Sequence, residues 1–115
     1  MEVKWGTCGD NGAWCGLLTV NLESPIFDKE GVYVIWQRGG PIIKIGKGRF
    51  RDKIGEDKMN SNIVRYGSLL VTWASIEGRY RSGIENYLKT QLHPSIDSEI
   101  TETPPIKINL PWPSY

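Results

Sequence analysis

Histidine occurs once in this chain of 115 residues, at His93, and cysteine twice, at Cys8 and Cys15. Six residues lie between the cysteines, a separation foreign to zinc knuckles, and a single histidine adds little, so a structural zinc site is not expected. Reduced cysteines packed among Trp5 and Trp14 are the expectation. Charge of either sign is not in excess: fourteen Lys and Arg against thirteen Asp and Glu leave a net of +1. No global field draws the chain onto nucleic acid, so any such contact falls to a local patch. Long apolar runs are also missing, and none approaches the ~18 residues of a membrane-spanning helix, which rules out a membrane partner of that kind. Met1-Glu2-Val3-Lys4-Trp5 lacks the apolar stretch of a secretory signal, and the expected location is cytoplasmic.

Hydrophobic residues make up 39% of the chain and charged residues 23%, which fits one globular domain and not a disordered segment. A chain of this size buries roughly two-thirds of its unfolded surface, enough to fold without a disulfide or a metal. Five tryptophans are many for the length, and buried aromatics strengthen a small core.

Residues 1–30 form an arm without a clear period, in which Leu17–Leu22 is expected to be a short strand. Gly31-Val32-Tyr33-Val34-Ile35-Trp36 is β-branched and aromatic, hence a strand. Gln37-Arg38-Gly39-Gly40-Pro41 is a turn with two glycines available for positive φ. Ile42-Ile43-Lys44-Ile45-Gly46 is a second strand, and the short connection makes the two an antiparallel hairpin. Lys47-Gly48-Arg49 is expected to be a basic loop. A helix is expected from Phe50 to about Asn60, with Phe50, Ile54 and Met59 on its apolar side. Ser68–Ala74 is a third strand. Arg79–Leu92 is a second helix, apolar at Tyr80, Ile84, Tyr87 and Leu88 and stopped by Pro94. The proline-rich tail, residues 98–115, is expected to lie extended over the body through Ile106, Ile108, Leu110 and Trp112. The fold class is therefore α+β: a small antiparallel sheet, made of the hairpin and a third strand, flanked by helices.

Within this order, Gly31-Val32-Tyr33 and Lys44-Ile45-Gly46 stand ten residues apart, and Glu85 lies in the last helix. The arrangement resembles the GIY-YIG nuclease superfamily over residues 31–97, with the two triplets in the places of Gly-Ile-Tyr and Tyr-Ile-Gly. Val71-Thr72-Trp73-Ala74 and Ile108-Asn109-Leu110-Pro111-Trp112 are similar to segments of small GIY-YIG-like proteins of bacteria and phages. The resemblance implies an endonuclease that hydrolyses phosphodiesters, with DNA ahead of RNA as its partner. Tyr33 would act as general base or orient the water. Glu85 would be the sole protein ligand of one Mg²⁺ or Mn²⁺, which keeps most of its waters. Tyr33 and Glu85 would face one another across a groove. Lys44 stands where the family has a second tyrosine.

Basic residues after the second triplet would hold the phosphate. Lys53 falls at the arginine position, with Arg49 and Arg51 as the other sources of a guanidinium. Gly46, Lys47 and Gly48 would let the phosphate approach. Tyr66 belongs to the core or stacks on a base. Asp97 stands where the family often has an asparagine, and Asn109 is a second candidate for that place. His93, before Pro94, is expected to be a helix-end cation. One small domain offers little surface for specificity, so a homodimer or a partner protein would supply more.

The same residues have plainer readings. A strand tyrosine is often a core aromatic, and a helix glutamate is often solvated. Lys47, Arg49, Arg51 and Lys53 are interrupted by Asp52 and Glu56, as on an ordinary wet surface. Two other functions fit the same fold: a nucleic-acid-binding module without catalysis, and a protein-interaction or inhibitor domain.

Overall fold

β-Branched and aromatic residues build the centre of the computed structural model, which describes residues 1–9, 12–96 and 102–112. The strands are β1 (Cys15–Gly16), β2 (Glu30–Gln37), β3 (Ile42–Arg49) and β4 (Leu69–Ser75). They form one antiparallel sheet in the order β1-β4-β2-β3. The helices are α1 (Phe50–Lys58), α2 (Ser61–Val64) and α3 (Gly78–Leu92), and a single 3₁₀ turn spans Pro25–Asp28. The class is α+β, as the sequence implies.

β2 is inner and buried on both faces from Gly31 to Trp36, which is why its sequence runs apolar without alternation. Tyr33 and Ile35 point to one side, where they join Phe50 and Ile54 of α1, Ile63 of α2, and Val71 and Trp73 of β4. Val32, Val34 and Trp36 point to the other, where they meet Ile84, Leu88 and Leu92 of α3. Each such aliphatic side chain contributes about 1.5–3 kcal/mol on burial. The period-two alternation of the hairpin thus sorts its residues between an α1 face and an α3 face.

Several local expectations are corrected. Lys47-Gly48-Arg49 is not a loop: the residues continue β3, paired with Val32, Gly31 and Glu30 of β2. Gly48 meets that ladder at φ 128°, a value that needs glycine. In the hairpin turn only Gly39 takes a positive φ, 67°. Leu17–Leu22 is a turn, because the amides of Thr19 and Val20 fold back on the Gly16 carbonyl at 3.3 and 3.0 Å. α1 ends at Lys58, and Met59 is 88% exposed. The third inward position of that helix is Asp57, since Phe50, Ile54 and Asp57 fall at i, i+4 and i+7 on one face.

Cys8 and Cys15 are joined by a disulfide, so they are not the reduced pair expected. Cys15 sits in the α1-side core, whereas Trp5 and Trp14 pack on the α3 side. The bridge forms because the antiparallel contact between Cys8 and Ala13 turns the arm back on itself. Ile106, Ile108, Leu110 and Trp112 pack against the α3 face, and the Ile106 amide bonds the Gly83 carbonyl at 2.9 Å. His93 ends α3 in the left-handed region at φ 48°, its amide bonded to the Lys89 carbonyl at 3.1 Å. Among the described residues no helix is long and apolar enough to cross a membrane.

Candidate functional site

The register of the hairpin places Tyr33 directly opposite Gly46. A methyl group on Gly46 would meet the Tyr33 ring, with Oη 2.5 Å away, so the phenol lies flat across the glycine. Its Oη then reaches α1 and donates to Asp57 Oδ2 at 2.6 Å. Lys44 Nζ donates to the other oxygen, Asp57 Oδ1, at 2.6 Å, and stands 6.0 Å from the centre of the Tyr33 ring. Tyr33 is 1% exposed and Asp57 2%. A buried carboxylate of this kind is tolerated only because both its oxygens are engaged, one of them by a cation.

This environment raises the Tyr33 pKa well above its ordinary value of 10.0. Burial is the largest cause, followed by the charge of Asp57, the hydrogen bond to Asp57, and the charges of Glu56 and Glu85. The folded protein therefore holds this proton more tightly than the unfolded chain does. The associated stability is whole below pH 10 and is lost as the pH rises beyond it, at about 1.4 kcal/mol per pH unit. Urea unfolding between pH 9 and 12 checks this: Tyr33→Phe is expected to lose stability less steeply than the parent, by that slope. Parallel profiles would contradict it.

Glu85 occupies the other face. α3 carries it inward beside Ile84 and Leu88, and it is 6% exposed. Its Oε1 lies 3.3 Å from Lys47 Nζ and 3.5 Å from Lys89 Nζ, and Lys47 also donates to Ser82 Oγ at 3.0 Å. Lys89 is 5% exposed, so its ammonium depends on this carboxylate. Lys44 pairs with Ile35 on the α1 side and Lys47 with Val32 on the α3 side. Tyr33 and Glu85 thus stand on either side of β3, the outermost strand, and do not face one another across a groove, because alternation along the strand separates their lysine partners.

The remaining candidates scatter. Arg49 pairs with Asp28 at 3.0 Å and with Asp52 at 3.7 Å. Arg51 also pairs with Asp28, and its guanidinium caps the carbonyls of Leu22, Glu23 and Ser24 at 2.8, 3.2 and 3.3 Å. Both arginines therefore hold the 3₁₀ turn. Lys53 lies against Gly48, where an added Cβ would be 3.0 Å from its Cγ, and its ammonium is 4.0 Å from Glu56. Tyr66 is half-buried against the α1-side core and its carbonyl accepts from Gln37 Nε2 at 2.5 Å. Asn109 is occupied: its Oδ1 accepts from the Val3 amide at 2.7 Å and its Nδ2 donates to the Val3 carbonyl at 2.9 Å. Asp97 lies outside the described residues.

Asp57, Ser82 and Lys89 complete the two clusters and had not been singled out. The signal for Asp57 was present as a charged residue on the inward stripe of α1. Lys89 stands four residues after Glu85, a pairing distance on any helix.

A divalent ion seated on Glu85 would share Oε1 with two ammonium groups. Among the described residues no three His, Cys, Asp or Glu side chains gather to hold a metal. As folded, these residues do not fit Mg²⁺ or Mn²⁺ at Glu85. Comparison with protein-family models, with curated proteins and with solved structures finds no match.

Proposed function

We propose that this is a GIY-YIG-like domain that binds nucleic acid along β3 and hydrolyses a phosphodiester there. The observation that carries the reading is the edge strand itself, with the Tyr33 phenol laid across Gly46, Lys44 on one face and Lys47 on the other. Lys44 and Lys47 are about one-third exposed, at 27% and 34% of their side chains. Each keeps donors beyond its protein partner, which suits a phosphate oxygen. By the resemblance Tyr33 would position the attacking water, which requires its phenol, 1% exposed and bonded to Asp57, to open toward solvent.

The test is nicking of supercoiled plasmid, run in Mg²⁺ and in EDTA, by the parent, Tyr33→Phe and Glu85→Ala. Nicking by the parent is expected in both conditions, with a loss on the order of 10²-fold in Tyr33→Phe. Equal nicking by all three proteins would mean a contaminant. Nicking that requires Mg²⁺ would put an ion at Glu85 and overturn the view that its lysines exclude one.

A second reading, binding without cleavage, draws on the arginines held by Asp28 and on the neutralised Glu85. It gives salt-sensitive binding without turnover, and Lys47→Ala would lower the slope of log K against log salt by about 1.

A further inference from the structure

We infer that an open cleft on the α1 side of the sheet binds one nucleotide, its phosphate on Lys4 and Lys29 and its base against Ile26 over a floor of Trp73. This goes beyond the reading above, because it needs neither cleavage nor the edge strand. The cleft has a volume of about 270 Å³ and lies between the arm, the 3₁₀ turn and the end of β4. The arm forms one wall because Gly6 lies on the Trp73 indole, where a Cβ would have no room. The Gly6 amide donates to the Trp73 carbonyl at 2.7 Å, and the Gly6 carbonyl accepts from Thr72 Oγ1 at 2.7 Å. These bonds fix the arm on β4 and carry Lys4, two residues earlier, to the cleft. The 3₁₀ turn supplies the other wall, with Ile26 at 44% exposure and Lys29 directly after the turn. The Lys29 carbonyl accepts from the Phe50 amide at 3.1 Å, which fixes this wall to the start of α1.

Charge decides the class of ligand. Among the described residues no acidic side chain lines the cleft. The carboxylates on either side of Lys29 in sequence are already engaged, Asp28 by Arg49 and Arg51 and Glu30 by Arg81 at 3.2 Å. Lys4 and Lys29 themselves have no ion-pair partner among the described residues. Glu2 and Glu77 line a neighbouring depression that shares Lys4 and Ser75, and Glu77 is held by Arg79 at 3.2 Å. Two uncompensated ammonium groups beside an apolar floor suit an anion with a flat apolar body. A nucleoside monophosphate carries about two negative charges and enough acceptor oxygens for both lysines. Its base would cover Ile26, and the Ser75 hydroxyl lines the same cleft for a sugar hydroxyl. The volume is small for a ligand pocket and suits one such unit.

The test is a titration with adenosine 5′-monophosphate followed by NMR, reading the backbone amides of Gly6 and Lys29 and the Trp73 indole N–H. Saturable shifts at these groups are expected, with the affinity lowered about tenfold in Lys4→Gln and in Lys29→Gln. Both lysines are exposed and unpaired among the described residues, so the variants are expected to keep the fold. Adenosine and inorganic phosphate, titrated separately, are each expected to bind about tenfold or more weaker than the nucleotide. No shift at these groups, or an affinity unchanged in both variants, overturns the site. Inorganic phosphate bound as tightly as the nucleotide overturns it as well, since the floor would then contribute nothing, and adenosine bound as tightly does so by removing the lysines from the account. A 5′-phosphorylated oligonucleotide that displaces the nucleotide makes the end of a strand the source, and one that does not makes it free nucleotide; both support the site. Plasmid nicking by a parent that shows no nucleotide shifts would remove this site and leave the hydrolytic reading standing.

Discussion

Gly46→Ala is expected to lower the unfolding free energy by about 3 kcal/mol, the upper end of what overpacking a core usually costs. The added methyl group has no free space, since the Tyr33 ring and its hydroxyl occupy the position. That ring is in turn fixed between Phe50, Ile54 and the hydrogen bond to Asp57, so it cannot swing aside without breaking the bond. For a domain of this size the melting temperature should drop by roughly 10–15 °C. Thermal unfolding followed by circular dichroism checks the figure. In a Tyr33→Ala background the same substitution should cost much less, because the obstructing ring is gone, and the difference measures their coupling. An unchanged melting temperature for Gly46→Ala would mean that the ring is not held as described.

Lys44→Met is expected to cost about 3 kcal/mol, near the low end for removing one member of a buried ion pair, because Lys44 retains partial exposure. The loss comes less from the missing attraction than from Asp57, which is left charged in the core with only the Tyr33 hydroxyl. Lys44→Met combined with Asp57→Leu should recover most of the stability, since two apolar groups leave no unpaired charge. Urea unfolding of both variants measures it, and a double variant no better than Lys44→Met would place the cost elsewhere. Lys44→Tyr stands between these cases, because a phenol can still donate to Asp57 Oδ1 although it brings no charge.

The hairpin, the third strand and the last helix were legible because each has a single strong period or composition. Gly31–Trp36 is continuously β-branched and aromatic, and Arg79–Leu92 repeats apolar residues at three and four. The start of that helix differs by one residue from the observed Gly78. Lys47-Gly48-Arg49 was misread because glycine and charge together look like a loop. What holds the segment extended is the facing strand, where Glu30, Gly31 and Val32 pair with Arg49, Gly48 and Lys47. The disulfide was hidden because a pair of cysteines in an arm without periodicity says nothing about its own fold.

The site was legible only in part. The lysine and glycine of the second triplet and the tyrosine of the first do come together, because strand register is set by the short turn. The arginines do not join them, because Asp28, far away in sequence, captures both. The pairings of Glu85 with Lys47 and of Lys44 with Asp57 join separate elements, and no local pattern encodes which of several lysines an inward carboxylate will choose.

β3 ends the sheet, and among the described residues its cover lies at its beginning, where the amides of Ser95 and Ile96 bond the carbonyls of Ile42 and Ile43 at 2.9 Å each. Among the described residues nothing pairs with the outer edge from Lys44 onward, a stretch that would accept a second molecule where it is uncovered. Lysines at two of these positions and a glycine in an unusual conformation are features that natural sheets use to discourage such growth. The lysines proposed to meet nucleic acid would therefore also guard the protein against self-association. Neutralising Lys44 and Lys47 together should leave a chain that precipitates on storage at concentrations where the parent stays clear.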